Sequence, residues 1–185
     1  MRKVIFSMAL SLDGYIAGPE GEGDWAVPDE ELHRFHNEQA RELGLHVLGR
    51  GLYDVMAYWE TAEERNPSAP KHGLEFARIW KELPKLVFSK TLETVEGNTR
   101  LSHGDPVEEL RELKEGSGAD IAVGGAALAA TLTAHALIDE YRLFATPVVL
   151  GGGKPFFAGD TRMDLELVET RMFGSGVVYL RYRRV

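Results

Sequence analysis

The sequence contains no cysteine among its 185 residues. This absence excludes disulfide bonds, thiolate metal sites and catalysis by a thiol nucleophile. Basic residues are also scarce: 21 lysines and arginines stand against 29 aspartates and glutamates, and the formal net charge is -8. No basic stripe stands out along the chain, so we expect no nucleic-acid partner.

Long hydrophobic runs are missing as well. The longest apolar stretch, residues 121–132, is too short and too rich in glycine to cross a bilayer. The N-terminal segment MRKVIFSMAL has the basic pair and the apolar run of a signal peptide, but no small-residue cleavage site follows it. We therefore expect no membrane association and a cytoplasmic location, and we predict a core strand over residues 3–10.

The remaining composition is that of an ordinary globular protein, with 44% hydrophobic and 27% charged residues. A chain of this length forms one domain with a substantial core, and no internal repeat or linker divides it. We therefore predict a single domain over residues 1–185.

Strand-like and helix-like segments alternate along most of the chain. The predicted strands cover residues 3–10, 45–48, 85–89 and 119–123, and the predicted helices cover residues 29–43, 51–59, 73–83, 106–115 and 126–135. Gly44 is expected to end the first helix, and residues 11–28 and 60–72 are predicted loops. Residues 94–102 suggest an extended pair around Gly97-Asn98, and the sheet-rich part from residue 137 closes with a hairpin of residues 165–173 and 177–183. This order predicts an α/β domain with a mostly parallel sheet and an antiparallel edge.

Two apolar runs end in glycine and pass directly into a helical pattern. They are HVLGRGLYDVM, residues 46–56, and DIAVGGAALAATL, residues 120–132. A helix N-terminus carries unpaired N–H groups and a partial positive charge, and glycine removes the Cβ that would keep an anion away from the backbone. Two such turns in one domain predict a pyrophosphate held between two helix ends, and hence a dinucleotide.

Two cations accompany these turns. Arg50 follows Gly49 at the start of its helix, and Lys90 follows the strand of residues 85–89. The G-x-G-x-x-G turn and the ribose-binding acid of a Rossmann domain are absent. Cations near a nucleotide site favour a 2′-phosphate, so we predict NADP rather than NAD; the alternative is that both side chains are solvated strand ends.

Five segments in order resemble the dihydrofolate reductase-like superfamily. They are SLDGYIAG, VLGRGLYD, VFSKTL, VGGAALAATL and LIDEYRLFATPVVLGGGKPFF. The resemblance is closest to the reductase domain of the bifunctional riboflavin-biosynthesis deaminase-reductase and its stand-alone relatives. It implies a three-layer α/β fold with a mostly parallel mixed central sheet, helices on both faces and an antiparallel C-terminal hairpin.

The same resemblance implies NADPH as cofactor and assigns residues to it. The nicotinamide pocket would be lined by Met8, Ala9 and Ile16, and the phosphate site at the second helix by Gly49, Arg50, Gly51 and Leu52. The adenosine side and its 2′-phosphate would meet Ser89, Lys90 and Thr91. The pyrophosphate would meet Val123, Gly124, Gly125, Ala126 and Ala127.

Four residues are candidates for contacts with the substrate. Asp13 is a polar contact near substrate or, alternatively, the start of an Asx-type turn. Trp25 stacks on a flat heterocycle or simply covers core. Glu30 or Glu31 resembles the carboxylate with which dihydrofolate reductases assist protonation, although both also suit an exposed first helical turn.

Metal binding is not predicted. His33 and His36 lie three residues apart on one helix, but no third ligand is evident, and both are expected at the surface.

Departures from the riboflavin enzyme concern its substrate. Val123 stands where that enzyme has a glutamate for its ribosyl substrate, and DVMAYWE replaces its Asp-Asp-Pro segment. We expect an NADPH-dependent reductase that passes a hydride to a small, flat nitrogen heterocycle, with 5-amino-6-(5-phosphoribosylamino)uracil reductase as the nearest named activity. Dihydrofolate reductase is the alternative, and an NADP-binding protein without turnover is the alternative of another class. Homodimers are expected, as in relatives of this size.

Overall fold

A computed structural model describes all 185 residues and contains one eight-stranded sheet beside a small two-stranded one. The strands are β1 (Val4–Ser11), β2 (Tyr15–Ala17), β3 (Leu43–Gly49), β4 (Lys85–Phe88), β5 (Thr99–Ser102), β6 (Asp120–Gly124), β7 (Glu140–Thr146), β8 (Lys154–Pro155), β9 (Leu165–Met172) and β10 (Val178–Arg184). The large sheet has the order β5-β4-β3-β6-β1-β7-β10-β9. Its pairs are parallel from β5 to β7 and antiparallel between β7, β10 and β9, which confirms the predicted mixed sheet and C-terminal hairpin.

The α-helices are α1 (Glu30–Arg41), α2 (Arg50–Met56), α3 (Ala62–Arg65), α4 (Lys71–Glu82), α5 (Pro106–Glu115) and α6 (Ala126–Ala134). Two of them begin at side-chain caps. Asp29 accepts a hydrogen bond from the N–H of Leu32, and Asp105 accepts from those of Val107 and Glu108, with Pro106 in the first turn. No helix has the length and apolar character needed to cross a bilayer.

Helices cover both faces of the large sheet, which makes the three predicted layers. Neighbouring strand residues point to opposite faces, and Val47 and Leu48 accordingly lie in different apolar clusters. Val47 packs in the largest cluster with residues of α5 and α6. Leu48 packs with Trp80 of α4, and α1 lies beside α4 on that second face.

The boundary between α1 and β3 differs from the prediction. The helix ends at Arg41, and Gly44 lies inside β3 instead of terminating the helix. A Cβ on Gly44 would lie 3.0 Å from the carbonyl oxygen of Ala119. The glycine therefore permits a close approach between neighbouring strands, which a helical pattern cannot reveal.

Two connections also differ from the prediction. Residues 94–102 form no extended pair; only β5 is a strand, and it runs parallel to β4. The predicted loop of residues 60–72 contains α3 and the start of α4, and the predicted loop of residues 11–28 contains β2. β2 pairs with β8, which lies far away in sequence, and local propensity carries no information on such a pairing.

One ion pair is almost completely buried. The Lys85 ammonium lies 3.2 Å from a carboxylate oxygen of Glu60 and donates to the carbonyl oxygens of Trp80 and Leu83. Burial lowers the pKa of Lys85, and Glu60 opposes that shift. The charge of Lys85 thus depends on a single carboxylate.

Removing that carboxylate with Glu60→Leu should lower the free energy of unfolding by about 3–5 kcal/mol, since an uncompensated buried charge remains. Urea denaturation at neutral pH measures the effect. The double variant Glu60→Leu/Lys85→Met is the control and should recover most of the loss. A loss below about 1 kcal/mol in the single variant would show that the pair behaves like an exposed one.

Candidate functional site

The connections that leave β3 and β6 go to opposite faces of the sheet. These strands are parallel neighbours, with Leu48 of β3 opposite Gly124 of β6. β3 continues into α2, whose Leu52 packs on the cluster of α4, whereas β6 continues into α6, whose Leu128 packs on the opposite cluster. A crevice opens beyond the carboxyl ends of strands at such a switch point, and it is where ligands bind in open α/β sheets.

The two glycine turns predicted to hold a pyrophosphate meet at this crevice. Gly49 and Gly125 are the N-cap residues of α2 and α6, and neither helix start is capped by a side chain. A Cβ on Gly125, whose φ is +104°, would lie 3.6 Å from the Cα of Gly49. The backbone N–H groups of both helix starts are therefore close together and unobstructed by a Cβ.

Further small residues surround the two glycine turns. A Cβ on Gly124 would collide with Leu52 Cδ2 and would lie 3.3 Å from His46 Nε2, so α2 packs tightly on the end of β6. Gly51 has open space where its side chain would be. The two residues after Gly125 are alanines, Ala126 buried and Ala127 exposed.

The predicted 2′-phosphate residues gather where β4 ends. The Arg50 guanidinium donates to the hydroxyl of Thr91, and its Nε lies 3.4 Å from Asp54. The Ser89 hydroxyl accepts from the N–H of Thr91 at 3.2 Å, and Lys90 is exposed between them. Two predicted segments, Arg50 at the start of α2 and residues 89–91 after β4, thus form one polar, basic patch.

His103 belongs to the same patch and was missed by the sequence analysis. Its Nδ1 lies 2.6 Å from the carbonyl oxygen of Ser89. His103 follows β5, and β5 is parallel to β4, so both strands end at the same edge of the sheet. Recognising β5 as a strand parallel to β4 would have placed His103 in this patch.

An apolar cavity of about 330 Å³ lies between the sheet and the helices α1, α2 and α4. Four residues assigned to the cofactor line it: Met8, Ala9, Leu52 and Val123. Most of the remaining wall is apolar or aromatic, and its polar side chains are Ser7, His33, His36, Gln39, His46 and Arg142. A pocket of this kind beside the crevice suits a small organic ligand.

The histidines are the main polar groups of the cavity, and the prediction that His33 and His36 lie at the surface was wrong. Burial, with the charge of His33 as a smaller cause, lowers the pKa of His36 to about 4. Burial, with the charge of Lys85 as a smaller cause, lowers the pKa of His46 to about 4. His33 is held by Asn37 at 3.2 Å, and burial lowers its pKa too. At neutral pH these rings are uncharged.

Neither predicted carboxylate lines the cavity. Glu30 is exposed and paired with Arg34 at 2.7 Å, and the Arg34 guanidinium holds the pKa of Glu30 below its usual value. Glu31 lies 3.2 Å from Arg171 and accepts from the N–H of Gly174. Their role as proton donors stays a prediction, and this arrangement does not favour it.

Asp13, Trp25 and Ile16 also lie outside the cavity lining. Asp13 accepts from the N–H groups of Leu150 and Gly151, at 3.1 and 2.7 Å, and joins two loops. The Ser11 hydroxyl, with those N–H groups, holds the pKa of Asp13 below its usual value. Trp25 is half-buried in a 3-10 turn, and Ile16 packs against the largest core cluster. Their assigned roles stay predictions.

Comparison with known proteins adds to this geometry. The model of the RibD C-terminal domain family matches residues 2–179. The uncharacterized protein YyaP of Bacillus subtilis (strain 168) is 34% identical over 183 residues, which cover 98% of this chain and 94% of YyaP. The structure is similar to the deaminase/5-amino-6-(5-phosphoribosylamino)uracil reductase of Thermotoga maritima, with a TM-score of 0.70, 18% identity, and coverage of 100% of this chain and 57% of that one. It is also similar to Enterococcus faecalis dihydrofolate reductase complexed with NADP(H) and RAB-propyl, with a TM-score of 0.66, 18% identity, and coverage of 98% and 96%.

Proposed function

The chain belongs to the RibD C-terminal domain family, and from that premise we propose that it is an NADPH-dependent reductase of a small, flat nitrogen heterocycle. The observation that carries the proposal is the meeting of Gly49 and Gly125 at a switch point that adjoins an apolar cavity. The first feature suits a pyrophosphate, and the second suits a ring placed beside a nicotinamide.

The residues present fit NADPH. The N–H groups that follow Gly125, and those at the start of α2, would hold the pyrophosphate. Arg50, Lys90 and the Thr91 hydroxyl would hold the 2′-phosphate. Met8 and Ala9 would border the nicotinamide at the cavity wall. NADPH, when bound, supplies the hydride.

The protein's part in this chemistry is to position the two reactants and to exclude water. Hydride transfer requires two carbons in near-attack contact and no side-chain nucleophile, which agrees with a chain that lacks cysteine. The apolar walls keep water from the ring. Protonation of the product requires a donor within hydrogen-bond reach, and His36 and His46 are the cavity groups that can hold or relay a proton there.

Two reactions are candidates within this class. Reduction of 5-amino-6-(5-phosphoribosylamino)uracil is supported by the family, and reduction of dihydrofolate is supported by the common fold. Binding of NADP without turnover is the alternative of another class. Titration of the protein with NADPH, followed by assays of NADPH oxidation with both substrates, tests the proposal. Failure to bind NADPH would overturn it, and binding without any oxidation would favour the non-catalytic alternative.

Preference for NADPH over NADH should depend on the basic patch. The double variant Arg50→Gln/Lys90→Gln is expected to weaken NADPH binding at least about 100-fold, because it removes two charge-assisted hydrogen bonds that are worth about 1.5–3 kcal/mol each. Affinity for NADH should change little. Fluorescence titration with both dinucleotides measures the ratio, and equal losses for both would place the 2′-phosphate elsewhere.

A homodimer is proposed through the edge of the large sheet. β9 is the last strand, and Leu167, Val168 and Met172 on it are exposed. A long edge strand with exposed apolar side chains is an aggregation hazard unless a partner covers it. Light scattering should therefore report the mass of two chains, and Val168→Lys should shift it towards that of one. A single-chain mass for the unaltered protein would contradict the proposal.

A further inference from the structure

The charges that line the cavity are already compensated. Apart from its histidines, Arg142 is the one charged side chain in the wall. Its Nε lies 2.6 Å from a carboxylate oxygen of Glu140, and the same oxygen lies 3.1 Å from Arg181. Arg181 also pairs with Glu169 at 3.4 Å. Two arginines thus face two glutamates, and the formal charge of this group sums to zero.

The histidines do not change this balance. His36 and His46 are neutral at pH 7 because burial disfavours their protonated forms. A phosphate that entered the cavity would give up its hydration and meet no positive charge that is not already compensated by a glutamate, which is unfavourable. The cavity therefore lacks what a phosphate-reading site requires.

Hydrogen-bonding groups, by contrast, are left unused. Among the six histidines, three hydrogen-bond to protein groups through their rings: His33, His103 and His135. The rings of His36, His46 and His72 make no such bond, and of these three only His36 and His46 line the cavity. The buried indole N–H of Trp80, another wall residue, has no partner. Unpaired polar groups in an otherwise apolar, aromatic pocket are satisfied by a ligand that presents matching donors and acceptors.

We propose that the substrate is recognised as an uncharged, flat ring whose polar edge hydrogen-bonds to His36 and His46, and that any phosphate it carries is not recognised. The proposal rests on the proposed function for the position of the nicotinamide beside the cavity. It departs from a site built for a phosphoribosyl group. It assigns specificity to two residues of α1 and β3, not to a carboxylate.

Matched ligands that differ only by a phosphate test the proposal. We would titrate the protein, with and without saturating NADP⁺, with 5-amino-6-(ribosylamino)uracil and its 5′-phosphate, and with 7,8-dihydroneopterin and its 3′-phosphate. At least one uncharged compound should bind with a Kd below about 1 mM, and its phosphate should improve binding by less than about threefold. Phosphorylated forms that bind 10-fold tighter or more, or no binding of either uncharged compound at about 1 mM, would overturn the proposal.

Two variants examine the residues themselves. His36→Leu should weaken binding of the uncharged compound about 10-fold, the effect of one lost hydrogen bond, and should leave the Kd of NADP⁺ unchanged. Gln39→Lys adds a cation to the wall and should strengthen binding of the phosphorylated compound selectively, by about 10-fold. Glu38→Gln on the exposed face of α1 is the matched control. Unchanged ligand affinities in both cavity variants would contradict the assignment.

The two proposals fail separately. If the unaltered protein does not bind NADP⁺, the proposed reductase activity is overturned, whereas the titrations without dinucleotide still report on the cavity. Ring binding without NADP⁺ binding would preserve the cavity assignment alone. NADP⁺ binding together with tight, phosphate-dependent ligand binding would preserve the reductase and overturn the inference.

Discussion

The variant Gly125→Val is expected to bind NADPH at least about 100-fold more weakly than the unaltered protein, or not at all. Gly125 has a φ of +104°, a conformation that a β-branched residue adopts only with strain. Its side chain would also approach Gly49, since a Cβ there already lies 3.6 Å from the Gly49 Cα and amide nitrogen. The added methyl groups would occupy the space between the two helix starts where the pyrophosphate is proposed to bind.

A matched glycine separates this effect from backbone strain. Gly159 has a φ of +98° and nothing within 4 Å of a built Cβ, so Gly159→Ala carries the conformational strain without an effect at the crevice. It should lower the free energy of unfolding by about 1–2 kcal/mol and leave the Kd of NADPH unchanged. Fluorescence titration and urea denaturation of both variants measure the two quantities. NADPH binding by folded Gly125→Val at unaltered affinity would move the pyrophosphate away from this crevice.

Acid should destabilise the protein well before its carboxylates are protonated. The free energy of unfolding is expected to fall by about 6 kcal/mol in total between about pH 7 and pH 4, about 3 kcal/mol for each of His36 and His46. The pKa of each ring is lowered from 6.5 to about 4 in the folded state. Within that window the unfolded chain binds protons that the folded chain does not, so stability is complete above the upper value and is lost as the pH falls towards the lower one.

The variants His36→Gln and His46→Gln remove one titrating ring each. Urea denaturation of each variant at several pH values should show about half of the parental decrease, with the same variant near neutral pH as its own reference for altered packing. A parental free energy of unfolding that stays constant down to about pH 5 would mean that both rings are protonated at ordinary pKa values in the folded protein.

The crevice proposed for the dinucleotide was accessible to sequence reasoning because it is made of backbone. Gly49 and Gly125 were identified from a strand that ends in glycine and enters a helix, and parallel neighbours necessarily bring such turns to one edge. Arg50, Lys90 and Thr91 came together for the same reason, since β3 and β4 are adjacent and parallel. Local signals and sheet topology are sufficient where the site consists of strand ends.

The cavity was not accessible in the same way. Its polar groups come from one face of α1, the interior of β3 and the middle of β7, and only packing places His36, His46 and Arg142 on a common wall. The first turn of α1 drew attention to Glu30 and Glu31, but the helix is rotated so that neither carboxylate lines the cavity. Glu30 pairs with Arg34 of the same helix, and Glu31 pairs with Arg171. Helix rotation is decided by which residues the core accepts, here Leu32 and Phe35, and not by the acids themselves.

The small sheet of β2 and β8 couples two loops that are distant in sequence. Gly14 accepts from the N–H of Phe156 at 2.8 Å, Asp13 holds Leu150 and Gly151, and a side chain on Gly153 would collide with the carbonyl oxygen of Ala17. The segment after β1 and the segment after β7 therefore hold each other in place. Lengthening or exchanging one segment alone would break these contacts. A chimera with a relative therefore has to exchange both segments together to keep this part of the fold.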